Sequence, residues 1–391
     1  MSLNDGKSIN IKMICKIASI IMIIATVIVV VLGTAANKRR AREIAAISQR
    51  YMAERKAEKE KERIENLNVY EKLKEGRAIN IIVIGDGIGA SWGATSEANK
   101  WYNVLADKLQ KKYKGSITTT KLNGEIATVV RGWVELNRAE LSEGQDLALI
   151  CFGQNDNGRL SPTQFAIFYE SLIRKLKKHN PDIDIIPIIE SSIKSDNSYT
   201  EVIKKLSKHY DFTYVDTMTA FNNYEGGYGS LSDDGILPND KGYSYYADLM
   251  EECIAKNIAS RKKAKNVKDT LYQSNKLDNF TLNTSPTSNN GFDKNEVFSS
   301  STVGSTLVFE SDKDTLIAYY TTDPKGGKIK VYVDNELVKE IDTYLNNVSV
   351  TKAEIIAENL TGKHEVKFEV SSVKGYNYND GIVILNGLVS N

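Results

Sequence analysis

The sequence predicts a membrane helix with a helical stalk, a doubly wound α/β domain with a parallel sheet, and an all-β sandwich or jelly roll. Three observations support this fold class. Residues 17–36 carry no charge, strand-like and helix-like segments alternate from 79 to 258, and short alternating strands recur after residue 297. The expected parts are a cytoplasmic tip and anchor at 1–36, a stalk at 37–77, the α/β domain at 78–262, and a linker with the β-sandwich at 263–391.

The composition is that of a folded protein without a general preference for nucleic acid. Among 391 residues, 51 Lys and Arg balance 50 Asp and Glu, so the net charge is +1. We therefore expect no nucleic acid partner. The three cysteines lie far apart, which excludes a disulfide framework and a cysteine zinc site, and we expect no metal and no cofactor.

The uncharged run at 17–36 is long enough to be a membrane anchor. At 1.5 Å per residue, 20 helical residues span about 30 Å, the thickness of a bilayer's hydrocarbon core. A cleaved signal peptide is the alternative, because residues 34–36 (Thr-Ala-Ala) are small. The apolar core of a signal peptide is typically about 7–15 residues, so the length favours an uncleaved, single-pass anchor.

The charges that flank this run conflict with a surface location. Three lysines precede it, whereas one lysine and three arginines follow it at once. Read literally, the positive-inside rule places the C-terminal part in the cytoplasm. The residues concerned are Lys7, Lys12 and Lys16 before the run and Lys38, Arg39, Arg40 and Arg42 after it.

The stalk is predicted to be one solvated helix from Lys38 to about Lys74, ended by Gly76. This segment is rich in Ala, Glu, Lys and Arg and lacks Pro and Gly, which favours a helix by propensity. Apolar positions are sparse, so a strong coiled coil is not indicated.

Strands and helices then alternate in a pattern typical of a parallel sheet. The first strand, at 79–84, is almost continuously β-branched, as expected for a strand buried on both faces. The functional site of such a sheet is expected at the carboxyl ends of its strands, where Gly, Asn and Asp cluster in this sequence. The other predicted strands are 117–122, 146–152, 183–189 and 212–215, and the predicted helices are 101–112, 163–179, 199–209 and 241–258.

Four short motifs at these strand ends resemble the SGNH (GDSL-like) hydrolase family, over roughly residues 78–260. They are 85–87 (Gly-Asp-Gly), 123–124 (Asn-Gly), 153–156 (Gly-Gln-Asn-Asp) and 234–239 (Asp-Gly-Ile-Leu-Pro-Asn). The resemblance implies a flavodoxin-like sheet and acyl transfer by a Ser–His–Asp triad. It also implies an oxyanion hole formed by the backbone N–H groups of Gly87 and Gly124 and the amide of Asn155.

The sequence departs from the family at the two residues that perform the chemistry. Gly87 stands at the position of the nucleophilic Ser and Leu237 at that of the base His, whereas the orienting Asp234 is retained. Glycine offers no nucleophile and leucine transfers no proton, so the resemblance implies a pseudoenzyme. Ser91 and Ser232 are possible substitute nucleophiles.

A substitute base is harder to find among the three histidines. His179 and His209 immediately precede strands, which places them at the opposite edge of the sheet, and His364 lies beyond the domain. Cys151 and Cys253 fall on a buried strand and an apolar helix face, so both are expected in the core.

A glycine-rich loop with Tyr224 and Tyr228 has two possible interpretations. It is either an ordinary surface loop or an aromatic platform for a sugar ring. Residues 259–290 read as a linker or an irregular edge strand.

The C-terminal strands predict a sandwich of a kind found on bacterial surface enzymes. Short runs recur at near-regular spacing, as in antiparallel sandwiches. Residues 327–334 (Gly-Lys-Ile-Lys-Val-Tyr-Val-Asp) resemble a strand-turn motif of modules appended to surface glycosidases and SGNH esterases, some of which bind carbohydrate. The predicted strands are 305–310, 315–321, 328–333, 337–341, 348–356, 364–370 and 382–388.

Together these features predict a membrane-anchored surface protein that binds or scaffolds cell-surface polysaccharide or its modifying machinery. A working carbohydrate acyl-esterase or acyltransferase with a displaced Ser is the first alternative. A structural partner of envelope proteins is the second. The surface location follows from the family resemblance and from the weak effect of local charge on the export of long domains.

Overall fold

The N-terminal unit, residues 1–67, consists in its described part of one helix, α1 (Ile11–Glu65). The computed structural model describes residues 11–124, 126–141, 144–265, 267–375 and 378–391, the side chain of Asn123 excepted. The start of α1 is long and apolar enough to cross a membrane, a property that an N-terminal signal sequence shares. The apolar run and the charged run form a single helix.

The prediction of one helix from Lys38 to about Lys74 is wrong at its C-terminal end. Helix α1 ends at Glu65, and a second helix, α2 (Val69–Lys74), follows. The Asn68 side chain accepts hydrogen bonds from the N–H groups of Tyr70 and Glu71, and the Glu71 carboxylate accepts one from Asn68 N–H. This capping box starts a new helix, since Asn competes with the backbone for its hydrogen bonds.

Helix α2 belongs to the compact unit formed by residues 68–391. Tyr70 hydrogen-bonds to the buried Asp184 and Asn257, and Lys72 lies 2.6 Å from Asp146. Residues 68–74, which the sequence assigned to the stalk, are therefore anchored to the folded unit.

The α/β domain contains a five-stranded parallel sheet in the order β2-β1-β3-β4-β5. This flavodoxin-like order confirms the predicted fold class. The elements in chain order are β1 (Ile79–Gly85), α3 (Trp101–Tyr113), β2 (Ile117–Asn123), α4 (Val129–Arg138), β3 (Leu147–Cys151), α5 (Pro162–His179), β4 (Asp184–Ile189), α6 (Ser198–Tyr210), β5 (Val215–Asp216), α7 (Thr217–Asn222) and α8 (Asp240–Ala259).

Helices cover both faces of this sheet, and each face has its own apolar cluster. Trp133 of α4 and Phe165 of α5 lie in one cluster, and Trp101 of α3 and Tyr246 of α8 lie in the other. Side chains of β1 alternate between the two clusters, which explains its continuous β-branched sequence.

Two elements differ from the sequence prediction. Helix α4 was not predicted from the sequence, because it is short and contains Gly132. The structure needs glycine at this position, since a Cβ would lie 2.4 Å from the Phe152 ring. The strand predicted at 212–215 pairs only at Val215 and Asp216.

The C-terminal domain is a sandwich of two antiparallel sheets, as predicted, with orders β13-β12-β15-β10-β7 and β14-β11-β16-β9-β8. Phe298, Phe309 and Phe368 lie in the apolar core between the sheets. The strands are β6 (Thr281–Asn283), β7 (Ser288–Asn290), β8 (Asp293–Lys294), β9 (Phe298–Ser300), β10 (Thr306–Ser311), β11 (Leu316–Thr322), β12 (Lys328–Val333), β13 (Glu336–Asp342), β14 (Val350–Ala357), β15 (His364–Ser372) and β16 (Val383–Ser390).

The two domains of this unit pack through α4 and the sheet that contains β11 and β14. Arg138 donates a hydrogen bond of 2.6 Å to the Tyr319 hydroxyl, which donates one of 2.9 Å to Glu135. Trp133 packs edge-to-face on Phe280 at the same junction. The sandwich therefore rests directly on the α/β domain.

Candidate functional site

The turn after β1 folds over the end of the sheet around the fully buried Asp86. Asp86 Oδ1 accepts hydrogen bonds from the N–H groups of Ile88 and Gly89, at 2.9 and 3.4 Å. A Cβ at Gly85 would lie 2.7 Å from the Cys151 carbonyl oxygen, so this strand end needs glycine. Gly87, the residue that follows Asp86, is buried in this turn.

Asn155 is held over the same strand end by the other oxygen of that carboxylate. Asp86 Oδ2 accepts hydrogen bonds from Asn155 Nδ2 at 3.1 Å and from its backbone N–H at 3.4 Å. The structure thus brings Asn155 next to the Gly87 turn, as the motif order suggested. The amide nitrogen has two N–H groups, and among the described residues only Asp86 accepts from it, so one N–H is available to a ligand.

Gly124 also lies at this strand end, but its N–H already has a protein acceptor. It donates to the Gly85 carbonyl oxygen at 3.1 Å. A Cβ on Gly124 would lie 1.5 Å from Arg131 Nη1, so the guanidinium of α4 occupies the space that only glycine leaves. Sequence reasoning missed Arg131, because a single Arg on a helix carries no motif.

Asp234 and Leu237 form a tight turn in front of α8. Asp234 Oδ1 accepts hydrogen bonds from the N–H groups of Ile236 and Leu237, at 2.7 and 2.8 Å. Partial burial acts to raise the pKa of Asp234, but these hydrogen bonds outweigh it and hold the pKa below its usual range. The Leu237 side chain packs in the apolar cluster near Gly93, where it acts as a packing residue.

The two candidate substitute nucleophiles are both buried and hydrogen-bonded. Ser91 is 1% exposed with φ +58°, and its Oγ accepts a hydrogen bond of 3.1 Å from Trp101 N–H. Ser232 is 2% exposed and donates to the Leu237 carbonyl oxygen at 2.7 Å. Both hydroxyls thus stabilise turns.

The three histidines lie where the sequence placed them, away from Gly87. His179 is in the last turn of α5, and His209 contacts the Asp269 carbonyl oxygen at 2.7 Å. His364 Nδ1 lies 2.7 Å from Asp334 in the sandwich.

Glu190, which sequence reasoning missed, forms the floor of the site together with Asp86. It directly follows β4 and is fully buried, and its Oε2 accepts a 2.6 Å hydrogen bond from Gln154 N–H. Burial, and then the charge of Asp86, raise the pKa of Glu190 well above its usual range. Burial and the neighbouring carboxylate therefore both favour the protonated form of Glu190, which hydrogen-bonds Asp86. An acidic residue directly after a buried strand was the signal in the sequence.

Two further buried groups complete this floor. Asp156 Oδ1 accepts a 2.8 Å hydrogen bond from Val129 N–H at the start of α4, and burial raises the pKa of Asp156 to about 8. Cys151 Sγ lies 3.3 Å from Glu190 Oε1, and burial raises the pKa of this thiol well above its usual range. Cys151 and Cys253 are both buried, as expected for core residues.

The two tyrosines of the glycine-rich loop are half-buried against the domain. Tyr228 packs on Phe221, and the Lys194 ammonium lies 3.0 Å from its ring centroid. Tyr224 packs on Tyr245, with the Lys241 ammonium 5.2 Å from its ring. A lysine therefore faces each ring, which favours an ordinary surface loop over an open platform.

The arrangement can hold a polar group through the second N–H of the Asn155 amide, above a floor formed by the buried carboxyl groups of Asp86, Glu190 and Asp156. Within the described ranges, no group of three His, Cys, Asp or Glu side chains is placed to hold a metal ion. The Gly87 position itself supplies no hydroxyl.

Comparisons with known proteins agree with this fold. A family model described as "GDSL-like Lipase/Acylhydrolase family" matches residues 83–245. A two-domain esterase active on acetylated mannans superposes with a TM-score of 0.69 at 15% identity, covering 82% of this chain and 93% of that one. Its form co-crystallised with mannopentaose gives 0.68 over the same shares, also at 15% identity.

Other matches are more distant. A lipase/acylhydrolase from Enterococcus faecalis has a TM-score of 0.38 and 17% identity, covering 49% of this chain and all of its own. A search of curated proteins gives no sequence match. The parallel sheet, the four motifs and the family model together identify the α/β part of this chain as a GDSL-like (SGNH) lipase/acylhydrolase domain.

Proposed function

We propose that this chain is a membrane-anchored surface protein whose GDSL-like domain binds or scaffolds a cell-surface glycan, or its modifying machinery, without hydrolysing esters. The observation that carries the proposal is the pair Gly87 and Leu237 at the positions of the family's nucleophile and base. Removing either group from such a triad costs about a millionfold in rate.

The burial of Ser91 and Ser232 supports this view of the chemistry. A relocated nucleophile needs an exposed hydroxyl with a base within hydrogen-bond reach. Ser91 Oγ accepts from the Trp101 backbone, and Ser232 Oγ donates to the Leu237 carbonyl oxygen and lies 3.3 Å from Asp234 Oδ1; both serines are almost inaccessible.

The glycan assignment is supported by the two-domain likeness. The esterase that superposes on both domains is described as active on acetylated mannans and was crystallised with mannopentaose. A site that has lost its nucleophile can keep the binding contacts of its fold, here the free N–H of Asn155. The same likeness favours a second candidate, a working carbohydrate acyl-esterase or acyltransferase.

Binding and hydrolysis can be measured together on an array of acetylated and deacetylated bacterial and plant polysaccharides. With the full-length protein in mild detergent, we expect saturable binding to at least one polysaccharide and no acetate release above the buffer rate. Acetate release would favour the esterase. Absence of all binding would contradict the glycan proposal and favour a structural partner of envelope proteins.

The location can be tested with intact cells. We expect protease added outside to degrade residues 38–391, because long domains can be exported despite local positive charge. A cytoplasmic marker protein should survive the same treatment. Full protection of the domain while an established surface protein is degraded would contradict the surface location.

A further inference from the structure

A cavity of about 490 Å³ lies at the junction of the α/β domain and the sandwich. Its walls come from α4 and the segment after the 153–156 motif on one side, and from β13 and β14 on the other. Ligand pockets typically range from about 300 to 1,000 Å³, so this cavity is large enough for a small ligand such as a sugar unit.

Positive charge dominates the lining of the cavity. Arg131 and Arg159 come from the α/β domain, Lys339 and Lys352 come from the sandwich, and Glu354 is the only acidic residue among the described residues that line it. Lys339 and Glu354 pair at 2.8 Å. In the part of the chain that the structure describes, no carboxylate lies within ion-pair distance of Arg159 or Lys352.

The buried hydrogen-bond donors of Arg131 are a second indication of a ligand, independent of the charges that line the cavity. Its side chain is only 15% exposed, and Nε lies 3.8 Å from Glu135, beyond hydrogen-bond distance. Within the described residues, Nε and Nη1 are buried without a hydrogen-bond acceptor. Buried donors are normally satisfied, so an acceptor from outside the chain would complete this site.

Among the described residues Lys352 has no carboxylate at ion-pair distance, although Glu354 and Asp342 lie near enough to favour its charged form. Burial, and then the nearby charge of Arg159, lower its pKa below the usual range. An anion in the cavity would offset both effects.

We propose that this cavity binds an anionic sugar unit whose carboxylate or phosphate oxygens contact Arg131, Arg159 and Lys352. Guanidinium groups suit both oxyanions, because their parallel N–H groups match two oxygens at once. A neutral sugar would leave Arg159 and Lys352 without a paired negative charge, whereas Arg131 and Lys339 keep Glu135 and Glu354. The Arg131 guanidinium also packs on Gly124, so the bound anion lies beside the candidate site. The inference rests on the proposed glycan function and names its ligand class.

The test uses calorimetric titration of the full-length protein in mild detergent with matched charged and neutral probes. Oligogalacturonate and its methyl ester form the carboxylate arm, and mannose 6-phosphate and mannose form the phosphate arm. We expect at least one charged probe to bind about tenfold or more tightly than its neutral partner, with affinity falling as salt is added.

The double variant Arg159→Gln/Lys352→Gln should abolish this preference. Both side chains lack an ion pair in the described structure, so the melting temperature should stay unchanged. The control Lys313→Gln removes a charge that pairs with Asp312 at 3.0 Å on an exposed loop, and it should bind like the wild type.

The results separate this inference from the proposed function. The anionic site would be overturned if charged and neutral probes bind equally, or if neither charged probe binds. In that case, binding of a neutral glycan on the array would still leave the proposed function intact. A preference for charge that survives in the double variant would also overturn it. Absence of binding to every glycan would contradict both.

Discussion

The double variant Gly87→Ser/Leu237→His is expected to hydrolyse a small activated acetyl ester measurably, while each single variant stays at the background rate. A Ser without a base is a weak nucleophile, and a His without a nucleophile can only activate water. Asp234 already accepts a hydrogen bond from the backbone N–H of residue 237, so its carboxylate lies close to the new imidazole.

Two further substitutions in that background test the geometry. Asn155→Ala should lower the new activity by roughly a hundredfold, the usual effect of losing one oxyanion donor. Asp234→Asn should return it to background, and Gly87→Ser/Leu237→Asn is the matched control without a base. An inactive double variant with an unchanged melting temperature would contradict our view that the remaining groups still fit an acyl-transfer site.

The unfolding free energy is expected to fall as the pH rises from 5 to 8. Asp156 stays neutral in the folded chain up to its pKa of about 8, whereas the unfolded side chain ionises near pH 4. The stabilisation is therefore fully present below pH 4 and is lost as the pH rises through 8. Over the whole range between the two pKa values this corresponds to roughly 6 kcal/mol for Asp156 alone, and the raised pKa of Glu190 acts in the same direction.

Denaturant titrations at several pH values test this dependence. Asp156→Asn and Glu190→Gln should each flatten the fall, because an amide does not titrate and so removes the carboxyl group that ionises on unfolding. The control Asp182→Asn, on an exposed turn, should keep the wild-type slope. His364, whose pKa is raised by Asp334, gives the same sign, so the comparison is best made in a His364→Asn background. An unchanged slope in both acid variants would contradict the assignment.

The sheet could be predicted because its strands are buried on both faces. The apolar side chains of residues 81–84 alternate between two apolar clusters, and this leaves a continuous β-branched run in the sequence. The sandwich strands have the equally clear pattern of one buried face, as in β12, where Ile329, Val331 and Val333 point inward. The motifs at the strand ends then indicated which residues meet at Asp86.

Features that depend on contacts distant in sequence could not be predicted. The start of α2 at Asn68 depends on its docking to Asp184 and Asn257, whereas helix propensity alone favoured continuation to Lys74. Glu190 lies beside Asp86 because β1 and β4 end at the same edge of the parallel sheet. Arg131 reaches Gly124 from α4, a helix that the sequence pattern did not indicate.

The most direct test of the account is labelling of the full-length wild-type protein with a serine-directed fluorophosphonate probe, alongside the double variant Gly87→Ser/Leu237→His. We expect no labelling of the wild type, because Gly87 has no hydroxyl and Ser91 and Ser232 are buried. The double variant should be labelled at residue 87. Stoichiometric wild-type labelling that disappears in Ser91→Ala or Ser232→Ala would show a relocated catalytic serine and contradict the account.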